Sequence, residues 1–92
     1  HPGPSEIYSV IEVSDSSLER DRGSKLRIHA VAAIQQYILV NLVDEQVEVF
    51  SSPSPEKGIY RKRTICKGRK VVAITVAPPA NFLKVTAGAL LP

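Results

Sequence analysis

The sequence predicts an α/β (α+β) domain: a mixed sheet with a βαβ unit followed by antiparallel hairpins. Three observations carry this expectation. Ile7–Val13 and Tyr37–Asn41 are short runs rich in β-branched residues and Tyr, the residue types that fit a pleated strand. Between them Leu26, Ala30, Ala33 and Ile34 fall on one helical stripe. After Asn41 the apolar runs become short and are separated by turn residues. Strand, helix and strand with short joins form a right-handed crossover, so the first two strands are expected to be parallel.

In Ile7–Val13, period-two alternation puts Ile7, Ser9, Ile11 and Val13 on one face and Tyr8, Val10 and Glu12 on the other. Both faces are largely apolar, which predicts a central strand covered on both sides. Ser14-Asp15-Ser16-Ser17 breaks the strand. The helix then starts either from Ser16, which has capping-box spacing to Glu19, or at Asp21. Gly23 weakens its first turn. Asp44-Glu45-Gln46 turns the second strand into Val47–Phe50, and Ser51–Gly58, with two prolines, reads as a loop. Ile59–Cys66 is a further strand, turned by Lys67-Gly68-Arg69 into Val71–Ile74 and ended by Pro78-Pro79. Phe82–Val85 is expected to pair briefly and Ala87–Leu91 to form a terminal helical turn.

Ninety-two residues suit one small domain or part of a larger one. The chain opens His1-Pro2-Gly3-Pro4 rather than with Met, which suggests a processed or excised start. The single cysteine, Cys66, excludes an intrachain disulfide framework and a cysteine-based zinc site, and fits a reducing, cytoplasmic setting. No apolar run approaches the length of a membrane span. The net charge of +3 hides an asymmetry: residues 1–50 hold eight acids against four bases, and residues 57–70 hold seven bases and no acid. That division suits a metal site beside a polyanion track, and equally an ordinary soluble surface.

Glu12 is the first candidate for chemistry. A carboxylate near the carboxyl end of a parallel strand lies where open α/β sheets place their ligands. In an apolar strand it must be paired, metal-bound or facing a cleft, because burying it bare costs too much. Asp21 and Lys25 are four apart and share a helix face. They are either a solvent-exposed pair, or a pair that brings Lys25 back over Glu12. His29 lies one turn further and is read as a packed or surface histidine; His1 carries no signal. The serines at 14, 16 and 17 read as turn and capping residues. Arg61 and Arg63, with Lys67 in the following turn, either protect an edge strand by charge or track nucleic-acid phosphates.

Beyond these readings, Val10-Ile11-Glu12-Val13-Ser14-Asp15-Ser16-Ser17-Leu18 followed by Asp21-Arg22-x-x-Lys25-Leu26 resembles the signature segment of the Uma-type restriction endonuclease family. The likeness continues through Ala30, Ala32, Ile34 and Tyr37 into Val40-Asn41-Leu42, Val47–Phe50 and Leu90-Leu91. The resemblance implies the C-terminal half of a PD-(D/E)XK restriction-endonuclease-like fold, treated as one partial domain over residues 1–92. It also implies Mg²⁺-dependent hydrolysis of DNA phosphodiesters. Glu12 would be the metal-binding acid. Ser14 stands where that element normally has Lys, and Lys25, with Asp21 beside it, is the substitute. The family draws a further acid from a strand upstream of Pro4. Glu6 replaces a commoner Asp, His29 a usual Tyr, Ala33 a usual Gly, Gln35-Gln36 a usual Pro-Glu and Ile38 a usual Trp. The competing expectation is a non-catalytic binding or assembly module that keeps the sheet and forms a homodimer. Either way self-association is expected, because so short a chain has little core of its own.

Overall fold

A computed structural model describes residues 8–16, 18–77 and 81–91. Readings at His1, Glu6, Ile7, Ser17, Pro78 and Pro79 fall outside them. The strands β1 (Ser9–Ser14), β2 (Gln36–Asn41), β3 (Gln46–Ser54) and β4 (Ile59–Cys66) form one sheet in that spatial order. β1 and β2 are parallel, with Glu12 opposite Leu39, and β2–β3 and β3–β4 are antiparallel. The expected βαβ unit is therefore present.

The crossover is one helical segment in three parts: α1 (Leu18–Arg20), a π turn (Asp21–Lys25) and α2 (Leu26–Val31). Asp21 is thus inside the helix rather than at its start. The segment covers one sheet face, where Ala30, Tyr37, Leu39, Phe50 and Tyr60 form a buried cluster with Val10 and Leu26 packed against it. Two tyrosines fix its height over the sheet. The Tyr37 hydroxyl donates to the Asp21 carbonyl at 3.0 Å, and the Tyr60 hydroxyl donates to the Ile34 carbonyl at 2.7 Å. Stacked rings of Tyr37, Phe50 and Tyr60 fill the space between, so the apolar bodies are buried while both hydroxyls stay bonded.

The opposite face carries Ile38, Val47 and Cys66. They are covered by β5 (Val71–Ala77), β6 (Asn81–Thr86) and α3 (Ala87–Leu90), through Val72, Ile74 and Ala87. β5 and β6 are a separate antiparallel pair. The Lys67–Lys70 turn therefore carries the chain to a second layer instead of closing a hairpin with β4. Gln36 bridges the layers by donating to the Ala73 carbonyl at 2.7 Å.

Three sequence expectations are corrected here. β1 is an edge of the four-stranded sheet among the described residues, with Ile11 and Val13 47% and 61% exposed. The buried central strand is β2, every residue of which is buried. The first half of Ser51–Gly58 is strand, because β3 runs on to Ser54 and pairs there with β4, and only residues 55–58 form the turn. Pro53 is tolerated because β2 pairing stops at Gln36–Ser51, so no neighbour on that side needs its missing N–H. β6 pairs with β5 along its whole length rather than briefly.

The helix ends in a Schellman motif: the Ala33 N–H reaches the Ala30 carbonyl at 3.0 Å and the Ile34 N–H reaches the His29 carbonyl at 3.0 Å. The motif requires a left-handed residue, and Ala33 supplies it at φ 59°. A β-carbon there costs about 1–2 kcal/mol, which glycine avoids at a smaller entropic cost. Ala33→Gly is expected to raise stability by roughly 0.5–1 kcal/mol in urea unfolding. A loss of stability would contradict this reading of the helix end.

Candidate functional site

On β1, alternation places Val10, Glu12 and Ser14 on the helix-covered face. The helix brings two rows of side chains over that face. Asp21, Lys25 and His29 lie beside β1, while Arg22, Leu26 and Ala30 lie over β2 and β3. A row of residues four apart drifts around an α-helix by about 40° per step, because 3.6 residues make a turn. The wide π turn reverses that drift locally and keeps each row on its target; such turns are frequent at functional sites.

Lys25 Nζ lies 3.5 Å from Glu12 Oε2 and 3.3 Å from Asp21 Oδ1. His29 Nε2 is 3.9 Å from Glu12 Oε1, and its ring leans on Tyr37 with centroids 5.1 Å apart. The three residues singled out in the sequence, Glu12, Asp21 and Lys25, therefore meet at one place. The alternative of a solvent-exposed Asp21–Lys25 pair is overturned, since Asp21 is buried at 1% exposure. Ser14 is fully buried two residues past Glu12, and its hydroxyl has no hydrogen-bond partner among the described residues. Burial, followed by the nearby carboxylates of Asp21 and Glu12, pushes the Tyr37 phenol well above its ordinary range.

The most heavily bonded carboxylate is one to which the sequence pattern assigned no role. Glu48 on β3 is fully buried. Its Oε1 accepts from Arg22 Nε at 3.1 Å and Arg63 Nη2 at 2.9 Å. Its Oε2 accepts from Arg22 Nη2, from Asn41 Nδ2 at 2.8 Å and from Gln46 Nε2 at 3.1 Å. Arg22 thus grips both oxygens from the helix, a bidentate geometry only a guanidinium provides. Burial alone pushes the Glu48 carboxyl upward, but these donors outweigh it and hold its pKa at about 2. The same contact raises the pKa of Arg22. A usable signal existed: Glu48 sits between Val47 and Val49, and the argument that an apolar strand cannot bury a bare carboxylate applies to it as well as to Glu12.

The three basic candidates separate. Arg63 is engaged with Glu48 and lies over the Phe50 ring, 5.8 Å from its centroid. Arg61 and Lys67 are exposed. Arg63 and Tyr60 both reach the Phe50 side of the sheet although they are three residues apart. The ladder skips the Ser52–Arg61 pair, where Ser52 is left-handed at φ 56°, and strict alternation fails there.

Magnesium prefers several converging oxygen ligands. Among the described residues no group of three or more acids, histidines or cysteines is placed to hold a metal ion. Glu12 and Asp21 supply two carboxylates, but both are turned to the Lys25 ammonium. These residues alone do not make a magnesium site.

The fold, a four-stranded mixed sheet with a parallel βαβ unit and a second two-stranded layer, is that of a nuclease-like α+β domain. A family model described as Uma2, "Putative restriction endonuclease", matches residues 1–85, and the chain belongs to that family. Neither the curated proteins nor the solved structures compared with it contain a match. No helix among the described residues is long and apolar enough to cross a membrane.

Because the pKa of Glu48 lies below the usual 4.5 in the folded chain, its bonds stabilise the fold fully above about pH 4.5. That contribution is lost as pH falls toward about 2. Glu48→Gln is expected to cost about 1–3 kcal/mol at neutral pH, since it removes a charged acceptor from Arg22 and Arg63, whose side chains are 35% and 50% exposed and stay partly hydrated. It should also flatten the stability–pH curve over that acid interval. Urea unfolding at several pH values checks both, and a variant as stable and as acid-sensitive as the wild type would contradict the assignment.

Proposed function

We propose that this chain carries part of the active site of a Mg²⁺-dependent DNA endonuclease, with Glu12, Lys25 and Asp21 as its working residues. The observation that carries the proposal is the meeting of Glu12 and Lys25 at the strand end, 3.5 Å apart although thirteen residues separate them in sequence. Family membership adds the reaction class. Lys25 restores, from the helix, the cation that Ser14 does not provide, and it suits binding a scissile phosphate oxygen. Asp21 holds Lys25 from below, and the aromatic cluster under the helix fixes its approach. The exposed Arg61 and Lys67 are suited to phosphate contacts outside the site, whereas Arg63 serves the Glu48 cluster. Magnesium would supply charge neutralisation and an activated water when bound, and it needs at least one oxygen ligand beyond Glu12 and Asp21.

A second reading has its own observation. The β1 edge leaves Ile11 and Val13 exposed on the face opposite Glu12, and an edge that no described strand pairs, beside apolar side chains, suits assembly into a homodimer.

Plasmid cleavage separates the two. The 92 residues alone are expected to bind Mg²⁺ weakly and leave DNA uncut. The whole gene product with Mg²⁺ is expected to cleave, and Glu12→Gln should abolish cleavage with the thermal unfolding midpoint unchanged. A folded whole product that leaves DNA intact would overturn the enzyme reading and favour the assembly module. Cleavage that survives Glu12→Gln would remove Glu12 from the mechanism.

A further inference from the structure

We propose that Lys25 acts as an internal counter-cation that keeps divalent metal out of the Glu12–Asp21 pair, so that metal enters only when the ammonium leaves. The proposal rests on the endonuclease reading for its biological setting, though its chemistry is independent of that reading. The ammonium is 3.5 Å from one carboxylate and 3.3 Å from the other, so it lies between the two groups a divalent cation would need to share. Asp21 is 1% exposed, and a carboxylate so placed requires a positive partner to stay ionised. Lys25 fills that requirement. Its side chain is 36% exposed, so the ammonium has an open path to solvent or to a passing phosphate.

A second observation lies on the same face of β1, two residues from Glu12. The Ser14 hydroxyl is fully buried without a hydrogen-bond partner among the described residues, on the face of β1 that carries Glu12. Buried hydroxyls are ordinarily satisfied. A hydrated cation held by Glu12 and Asp21 would offer Ser14 a bound water or a direct contact, as a hard, oxygen-preferring ion does. With Lys25 in place the two carboxylates are already neutralised in part, and a dication would meet a like charge within a few ångströms. A lysine at this place on the helix does not by itself imply this exclusion, which follows from both carboxylates facing the same ammonium.

Mn²⁺ is the probe, read by the loss of its free-ion paramagnetic resonance signal on titration with the 92-residue chain. Lys25→Gln and Lys25→Met are compared with the wild type, each checked for an unchanged circular dichroism spectrum. Both variants are expected to bind one Mn²⁺ at least tenfold more tightly than the wild type. The Glu12→Gln/Lys25→Gln double variant is expected to lose that gain. Equal affinity in the wild type and a folded Lys25 variant, or tighter binding by the wild type, would overturn the proposal, as would a gain that survives Glu12→Gln. Should both Lys25 variants unfold, Lys25→Arg, which retains the charge, serves as the folded control, and Mn²⁺ binding by it well above wild type would count against charge exclusion. Plasmid cleavage is not part of the readout. An active gene product with no metal gain on removing Lys25 refutes the gate alone, and a metal gain in the Lys25 variants beside a folded, unsubstituted whole gene product that leaves DNA uncut refutes the nuclease reading alone.

Discussion

The structure depends on one buried carboxylate. Glu48 sits near the start of β3 with no exposure, and two arginines, an asparagine and a glutamine converge on it. A charge in that position must be compensated by its surroundings, which restricts where those surroundings can be. Arg22 has to lie over β3, so the helix cannot slide along the sheet or turn about its axis. Lys25 and His29, further along the helix, are then held beside β1. Asn41 is drawn in from β2, and its side chain also bonds Asp44 at 2.9 Å and accepts from the Asp44 N–H at 3.0 Å, which shapes the β2–β3 turn. Buried ion clusters of this kind are weak contributors to net stability compared with apolar packing, and their best-attested service is to specify one arrangement among several.

The aromatic cluster supplies what the ion cluster does not. Tyr37, Phe50 and Tyr60 give the helix an apolar bed, and burial pushes the Tyr60 phenol up to about 12, so its hydroxyl stays a donor well into alkaline pH. One hydroxyl reaches the helix near its π turn and the other just past its end. The apolar contacts set the distance between helix and sheet, and the directional bonds set the register. Glu12, Asp21 and Lys25 meet because both conditions hold together.

Much of this was legible in the sequence. The parallel β1–β2 pair, the crossover and the later strands followed from β-branched runs, turn residues and an apolar helical stripe. The meeting of Glu12 with Asp21 and Lys25 followed from a carboxylate at a strand end and a four-residue spacing on the next helix. What was not legible has physical reasons. Whether β1 is central or at an edge depends on which strands pair with it, a tertiary matter that residue type does not record. The π turn has no residue signature, since it differs from an α turn only in which carbonyl each N–H selects. β3 runs through Pro53 because β2 happens to end first. Glu48 carries the same signal as Glu12, a carboxylate in an apolar strand, but alternation equally fits an outward-facing residue, and only the tertiary fold, with the helix over that face, brings Arg22 to meet it.

The central claim is that Arg22 and Glu48 couple helix to sheet, and a double-mutant cycle measures that coupling directly. Arg22→Gln, Glu48→Gln and the double variant would be unfolded in urea at neutral pH beside the wild type. The account predicts that the two substitutions are strongly non-additive, with a coupling of about 2–3 kcal/mol, near the upper end for residues in one ion network. Additivity to within about 0.5 kcal/mol, the behaviour of independent sites, would contradict it.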